Sequence, residues 1–197
     1  RDRNVLVDTI FASFLSTGSP TWLYLSDRLI QFPMGLFGVA IALVALPDIT
    51  ELYIKKDSKN FNKTFLRGSL STLLLGLATM IFYLLFSAEI ISLLFKRGEF
   101  QEFDVAMTSA SLVAYAYALP FLLNSKFFNS IFFATSKTKF VLLLGIVSLF
   151  INLLLNYLFI FIFGMGHVGL ALATTCAALI VWLLSIIFLI YLRKSLA

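Results

Sequence analysis

Apolar residues in this chain gather into long runs separated by short charged or glycine-bearing segments. The runs cover residues 5–17, 21–46, 65–90, 105–123, 140–163 and 168–192. A helix needs about 20 apolar residues to cross the ~30 Å hydrocarbon core of a bilayer. The later runs are long enough. The first, broken by Asp8, is too short and reads as the tail of a truncated span. Inside a membrane each segment must satisfy its own backbone groups, so runs of this length are helices. The pattern predicts an all-α, polytopic transmembrane bundle of about six helices, a single domain over residues 1–197. The chain opens on Arg1 rather than Met, and is expected to be part of a longer protein.

Local signals punctuate the runs. Ser19-Pro20 reads as an N-cap followed by a proline at the first helical position. Asp104 is placed to cap the helix after the Gly98 reversal, and residues 164–167 form a turn. Trp22, Tyr24 and Tyr191 sit near span ends, where amphipathic rings prefer the interface. On a helical wheel Tyr24, Arg28, Gln31, Gly35, Gly38, Ala42 and Ala45 step by four and three and share one face. That stripe is polar in one half and small in the other. It belongs against other helices or water. Pro33 interrupts the same helix and leaves the Leu29 carbonyl without its donor, which is tolerable beside a hydrated cavity.

Composition sharpens this picture. Hydrophobic residues make up 60% and charged residues 13%, and mean hydropathy is +0.98. Disorder, a collagen-like fibre and a disulfide scaffold are excluded. Cys176 stands alone, so one chain can build neither a disulfide nor a zinc cluster. With the sides numbered alternately, one receives Arg1, Arg3, Lys55, Lys56, Lys59, Lys63, Arg67, Lys126, Lys137, Lys139, Arg193 and Lys194. The other receives Lys96 and Arg97. Basic loops face the cytoplasm, so the turns at Glu99 and His167 face outward. The net +5 follows from topology and gives no reason to expect nucleic acid. His167 has no second ligand nearby. No metal and no cofactor are expected. Lys126, after Asn124 at a helix end, reads as a snorkelling lysine. Asn124, Asn152 and Asn156 read as hydrogen-bonding between helices.

Arg28 belongs to neither loop set. It lies seven residues past Thr21, roughly 10 Å into the span. An arginine there costs on the order of 2.5–3.5 kcal/mol and faces protein or a wet cavity. One use is structural: Asp27 and Arg28 pair with other helices while Gly35 and Gly38 allow close packing. The other is anion binding, because a guanidinium offers paired donors to a phosphate and cannot lose its charge.

The run Thr9-Ile10-Phe11-Ala12-Ser13-Phe14-Leu15, then Gly18-Ser19, Trp22, Tyr24, Asp27-Arg28-Leu29, Phe32-Pro33, Gly35, Gly38-Val39-Ala40 and Leu46-Pro47, resembles the MurJ (MviN) lipid II flippases. These belong to the multidrug/oligosaccharidyl-lipid/polysaccharide exporter superfamily. Leu94-Phe95, Gly98, Phe100, Asp104 and Ala114-Tyr115 also look like that family. The resemblance implies a protein of about 14 helices, in which this chain is the seventh to twelfth: the second lobe of a two-lobe flippase. It implies that Arg28 lines the central cavity and holds the lipid II head group, with further arginines and a carboxylate on the missing N-terminal lobe. Gln31 stands where some members carry an acid.

The expected activity is therefore transport, not catalysis: lipid II translocated from the cytoplasmic to the outer leaflet of the bacterial inner membrane by alternating access. Candidate substrate-binding residues are Arg28, Asp27, Tyr24 and Gln31. Candidate hinge or packing residues are Pro33, Gly35 and Gly38. Expected partners are lipid II, membrane lipids and the missing lobe. The rival readings are a related exporter of another lipid-linked glycan or drug, a membrane enzyme acting on lipid diphosphates, and a non-functional structural fragment.

Overall fold

The computed structural model describes residues 11, 12, 15 and 18–196, except the side chains at 39, 42 and 192–196. The expected short span 5–17 lies outside the described residues apart from Phe11, Ala12 and Leu15. Gly18 leads into the first long helix with φ 100°. A Cβ there would meet the Trp22 ring at 2.7 Å, so glycine is required twice over. Ser19 is thus the first helical residue and Gly18 the cap.

Helix α1 (Ser19–Ile54) runs beyond residue 46 and carries both Pro33 and Pro47 inside it. A proline displaces the carbonyl four residues back. For Pro47 that carbonyl belongs to Leu43. The helix bends by 44° between Ser19–Gly38 and Leu43–Ile54, a break that ends next to that carbonyl. Helix α2 (Ser58–Phe95) starts at Asp57, which accepts the Asn60 N–H at 3.1 Å. Its buried positions include Thr72, Gly76, Tyr83 and Ser87, while Leu66, Leu70, Leu74 and Leu85 are exposed. Small and polar residues inside with leucines outside is the pattern of a helix solvated by lipid.

The run expected at 105–123 is longer and broken. It forms α3 (Glu102–Ala116) and α4 (Leu119–Ala134), bent by 44°. Pro120 has no N–H for the Ala116 carbonyl, so the helix cannot continue unbroken. Thr175 donates its hydroxyl to the nearby Ala114 carbonyl at 2.7 Å. Gly76 lets α2 approach the break: a Cβ there would lie 2.4 Å from the Pro120 Cα. At the start of α3, Asp104 accepts the Gln101 N–H at 3.0 Å in a capping box. Helix α5 (Thr138–Tyr157) passes into a π turn over Leu158–Ile162, and α6 (Gly166–Leu196) begins on Gly166, which like Gly164 before it has positive φ.

All the described elements are helices. Three are long and apolar enough to cross a membrane, and five spans result if each bent pair counts as one. The core has two parts. One joins Leu23, Ile30, Tyr83, Leu112 and Leu170. The other is built on Ile49, Phe127, Phe128, Phe132 and Leu189.

Candidate functional site

The site residues expected on α1 occupy two adjoining faces. Arg28 is exposed and lies over the Tyr24 ring, its guanidinium carbon 4.8 Å from the ring centre. A cation held over an aromatic face gains about 0.5–1 kcal/mol at an exposed site. Among the described residues no carboxylate pairs with Arg28; the ion pairs are Lys55–Glu51 and Lys96–Glu102. Asp27 is partly buried and accepts a hydrogen bond from the Gln31 amide on its own helix. The structure therefore brings Tyr24 to Arg28 and Gln31 to Asp27.

Asp27 faces into the lobe, Arg28 away from it. A cavity of about 500 Å³ lies between α1, α4, α5 and α6. Asp27 and Met34 border it on α1, Ser125, Lys126 and Asn129 on α4, and Ser148 on α5. Arg28 does not line it. Gly35 is open, with nothing within 4 Å of a Cβ placed there. Gly38 is buried, and a Cβ there would lie 3.6 Å from the Lys126 Cγ. Pro33 is buried in the straight part of α1.

The Leu29 carbonyl finds a protein partner. Tyr83 on α2 donates its hydroxyl to it at 2.7 Å, so the gap left by Pro33 is sealed by a neighbouring helix without a hydrated cavity. Trp22, read as an interfacial ring, is only 4% exposed. Its indole N–H donates to Asp104 at 2.8 Å, and its ring packs edge-on against Phe103 and His167. Ser26 adds a bond to the Thr108 carbonyl at 2.8 Å. These contacts fasten the first turns of α1 to α3 and α6, and so fix the rotation that sets Arg28 outward.

Asn124 is wholly buried and joins three helices. Its amide donates to Thr72 at 2.7 Å and to the Ser69 carbonyl at 2.9 Å, and its oxygen accepts from Trp182 at 2.7 Å. Asn152 donates to Thr174 at 3.1 Å. Among the described residues no three of His, Cys, Asp or Glu converge in a metal-binding group.

Lys126 is the residue that sequence reasoning misplaced. It is not in a loop after span four but inside α4, eight residues and about 12 Å before Ala134. The run was expected to end at residue 123, just after Pro120. The signal available was the apolar run Phe127, Phe128, Ile131, Phe132 and Phe133, which resumes directly after the lysine.

Comparison with known proteins agrees with this architecture. The family described as lipid II flippase MurJ matches residues 3–197. A probable lipid II flippase MurJ of Vibrio cholerae is 38% identical over 175 residues, covering 89% of this chain and 33% of the relative. One from Haemophilus influenzae is 36% identical over 181 residues, covering 89% and 35%. The chain thus spans about a third of the length of these relatives. A solved lipid II flippase MurJ in an inward closed conformation superposes with a TM-score of 0.83 at 28% identity, over 94% of this chain and 39% of that one. A MATE transporter in its straight conformation shares the fold, with a TM-score of 0.79 at 18% identity over 98% and 42%. With its helical order and its matched length together, the chain belongs to the MurJ lipid II flippase family.

Proposed function

We propose that this chain forms one lobe of a transporter that carries lipid II across the bacterial inner membrane, and that Arg28 holds the diphosphate of the head group. The observation that carries the reading is the state of Arg28. It is set by α1 well inside an apolar segment, on an exposed face, with an aromatic ring beneath it and, among the described residues, no carboxylate paired with it. Membership of the MurJ family supplies the substrate.

The chemistry suits the residue. The polyprenyl tail of lipid II is at home in hydrocarbon, but the diphosphate and sugars are not. A fixed guanidinium replaces water around the diphosphate through paired N–H donors. The exposed face of α1 then fronts a polar path shared with the other lobe, and the tail stays among lipids. Rocking of two lobes exposes such a path to each side in turn. The bends in α1 and between α3 and α4 are where this lobe flexes, with Gly38 at the edge of the first. No bond is made or broken, so the side chains act by position and charge. Tyr24 orients Arg28, while Gln31 keeps Asp27 from neutralising it.

The test replaces Arg28 in the complete protein. Arg28→Ala is expected to abolish rescue of flippase-depleted cells at normal membrane abundance, and Arg28→Lys to rescue only in part, because one ammonium cannot make paired contacts. Full rescue by Arg28→Ala would refute the assignment. Export of a drug with no effect on lipid II would favour a relative with another cargo.

A further inference from the structure

We propose that Tyr83 is a positioning residue for Arg28: its hydroxyl pins α1 to α2 at the turn that carries the guanidinium. This rests on the reading of Arg28 as the head-group contact and names what holds that contact in place.

The pin exists because of a proline. In a regular helix the Leu29 carbonyl is taken by the N–H four residues on, and Pro33 has none. An oxygen so released can be bonded from outside the helix. Tyr83 is 5% exposed and donates to it at 2.7 Å. Leu29 follows Arg28 directly, so the bond lies about 1.5 Å along the axis from the residue it steadies. A buried tyrosine needs a partner for its hydroxyl. Phenylalanine needs none, and the chain uses it at 22 positions against 7 for tyrosine, so the hydroxyl at residue 83 marks a specific demand.

The fastenings of α1 end at that level. Trp22 bonds to Asp104 and Ser26 to the Thr108 carbonyl, both on α3 and both before Arg28. Tyr83 adds a bond just after it, to a different helix. From Gln31 onward the described side-chain bonds of α1, Gln31 to Asp27 and Thr50 to the Leu46 carbonyl, stay within the helix. Met34 and Ile49 hold that part by apolar packing, which is non-directional. The hydrogen bonds therefore set the rotation of α1, and two of them bracket Arg28. Paired N–H donors demand orientation as well as distance from a diphosphate, so a helix able to turn at this point would lose the contact.

Helix α2 is irregular at the same place. It leaves helical geometry at Phe86 (φ −120°, ψ 16°), within one turn of Tyr83 and with no proline to compel it. The Phe82 ring packs against both Tyr83, at 5.9 Å, and Phe86, at 5.4 Å. Each helix thus gives up regularity beside this bond: α1 a backbone hydrogen bond, α2 the geometry of one residue.

The experiment uses the complete protein in nanodiscs, with undecaprenyl diphosphate as probe and undecaprenol as the uncharged control. Tyr83→Phe is expected to weaken undecaprenyl diphosphate about fivefold, the equivalent of one neutral hydrogen bond, and to leave undecaprenol unchanged. Two backgrounds separate positioning from mere sealing of the Leu29 carbonyl. Pro33→Ala returns an N–H to that carbonyl, so there the cost of Tyr83→Phe to the unfolding midpoint should shrink while its cost to affinity persists. Affinity recovering together with stability would overturn the proposal. In an Arg28→Met background Tyr83→Phe should cause no further loss, because it acts through the guanidinium. The same fivefold loss in that background would overturn it too. Unchanged affinity in Tyr83→Phe beside a loss in Arg28→Met would overturn the pin and leave Arg28 standing, whereas unchanged affinity in Arg28→Met would overturn both readings.

Discussion

The Leu29 carbonyl shows how a proline inside a membrane helix is tolerated. Pro33 removes the donor that would close the turn, and hydrocarbon offers no water in its place. Tyr83 supplies the missing proton from α2 at 2.7 Å. Tyr83→Phe removes only that hydroxyl. It is expected to destabilise the lobe by about 1 kcal/mol, the size of an interhelical hydrogen bond, read as a lower unfolding midpoint in detergent. Pro33→Ala returns a helical N–H to Leu29, so Tyr83→Phe should cost markedly less in that background. Equal costs in both backgrounds would show that the hydroxyl serves something else. The need at Leu29 was legible from Pro33 alone. Its answer was not, because the donor lies 54 residues away and nothing in the local pattern marks it. Trp22 teaches the same lesson: a tryptophan near a span end reads as an interfacial anchor until Asp104 is seen beneath its N–H.

At the scale of elements, the break between α3 and α4 governs how closely α2 can pack. Gly76 faces Pro120 with no room for a methyl group, its Cβ position lying 2.4 Å from the Pro120 Cα. The obstacle is backbone, which cannot turn aside as a side chain does. Gly76→Ala should therefore force the helices apart and cost about 1–3 kcal/mol, as overpacking does. Gly35, with nothing within 4 Å, should accept alanine without loss of fold. Comparing the unfolding midpoints of the two variants checks this, and a tolerated Gly76→Ala would mean that the α2–α4 crossing gives way. The helical class and most span positions could be read from run lengths, because lipid solvation forces helices on any long apolar run. The break could not. Pro120 ends a helix or kinks one with equal chemistry, and only the tertiary partners Gly76 and Thr175 decide. Ending the run at residue 123 carried Lys126 out of the helix. Arg28, by contrast, was conspicuous from sequence because a charge in an apolar run needs no partner to be noticed.

At the scale of the whole molecule, the aromatic core gathers the basic ends of the helices on one side. Phe65 on α2 stacks on Phe128 of α4 at 5.9 Å, and Phe140 of α5 packs on Phe188 of α6 at 4.8 Å. Lys55, Lys59, Lys63, Lys137 and Lys139 flank this side. At the opposite side Trp22, Phe103 and His167 join the first turns of α1, α3 and α6. There Lys96 is paired with Glu102, which leaves little net positive charge to resist translocation. Positive charge retained in the cytoplasm is expected to set the orientation, with Glu99 outside and Lys137 inside. Single cysteines in a Cys176→Ala background test it. Gly166 is a poor site, since its φ of 58° strains any side chain. Glu99 and Lys137 are exposed and free of that constraint. In intact cells Glu99→Cys should react with an impermeant maleimide, and Lys137→Cys only after permeabilisation. The reverse pattern would turn the lobe over. Arg28 would then lie in the inner half of the bilayer.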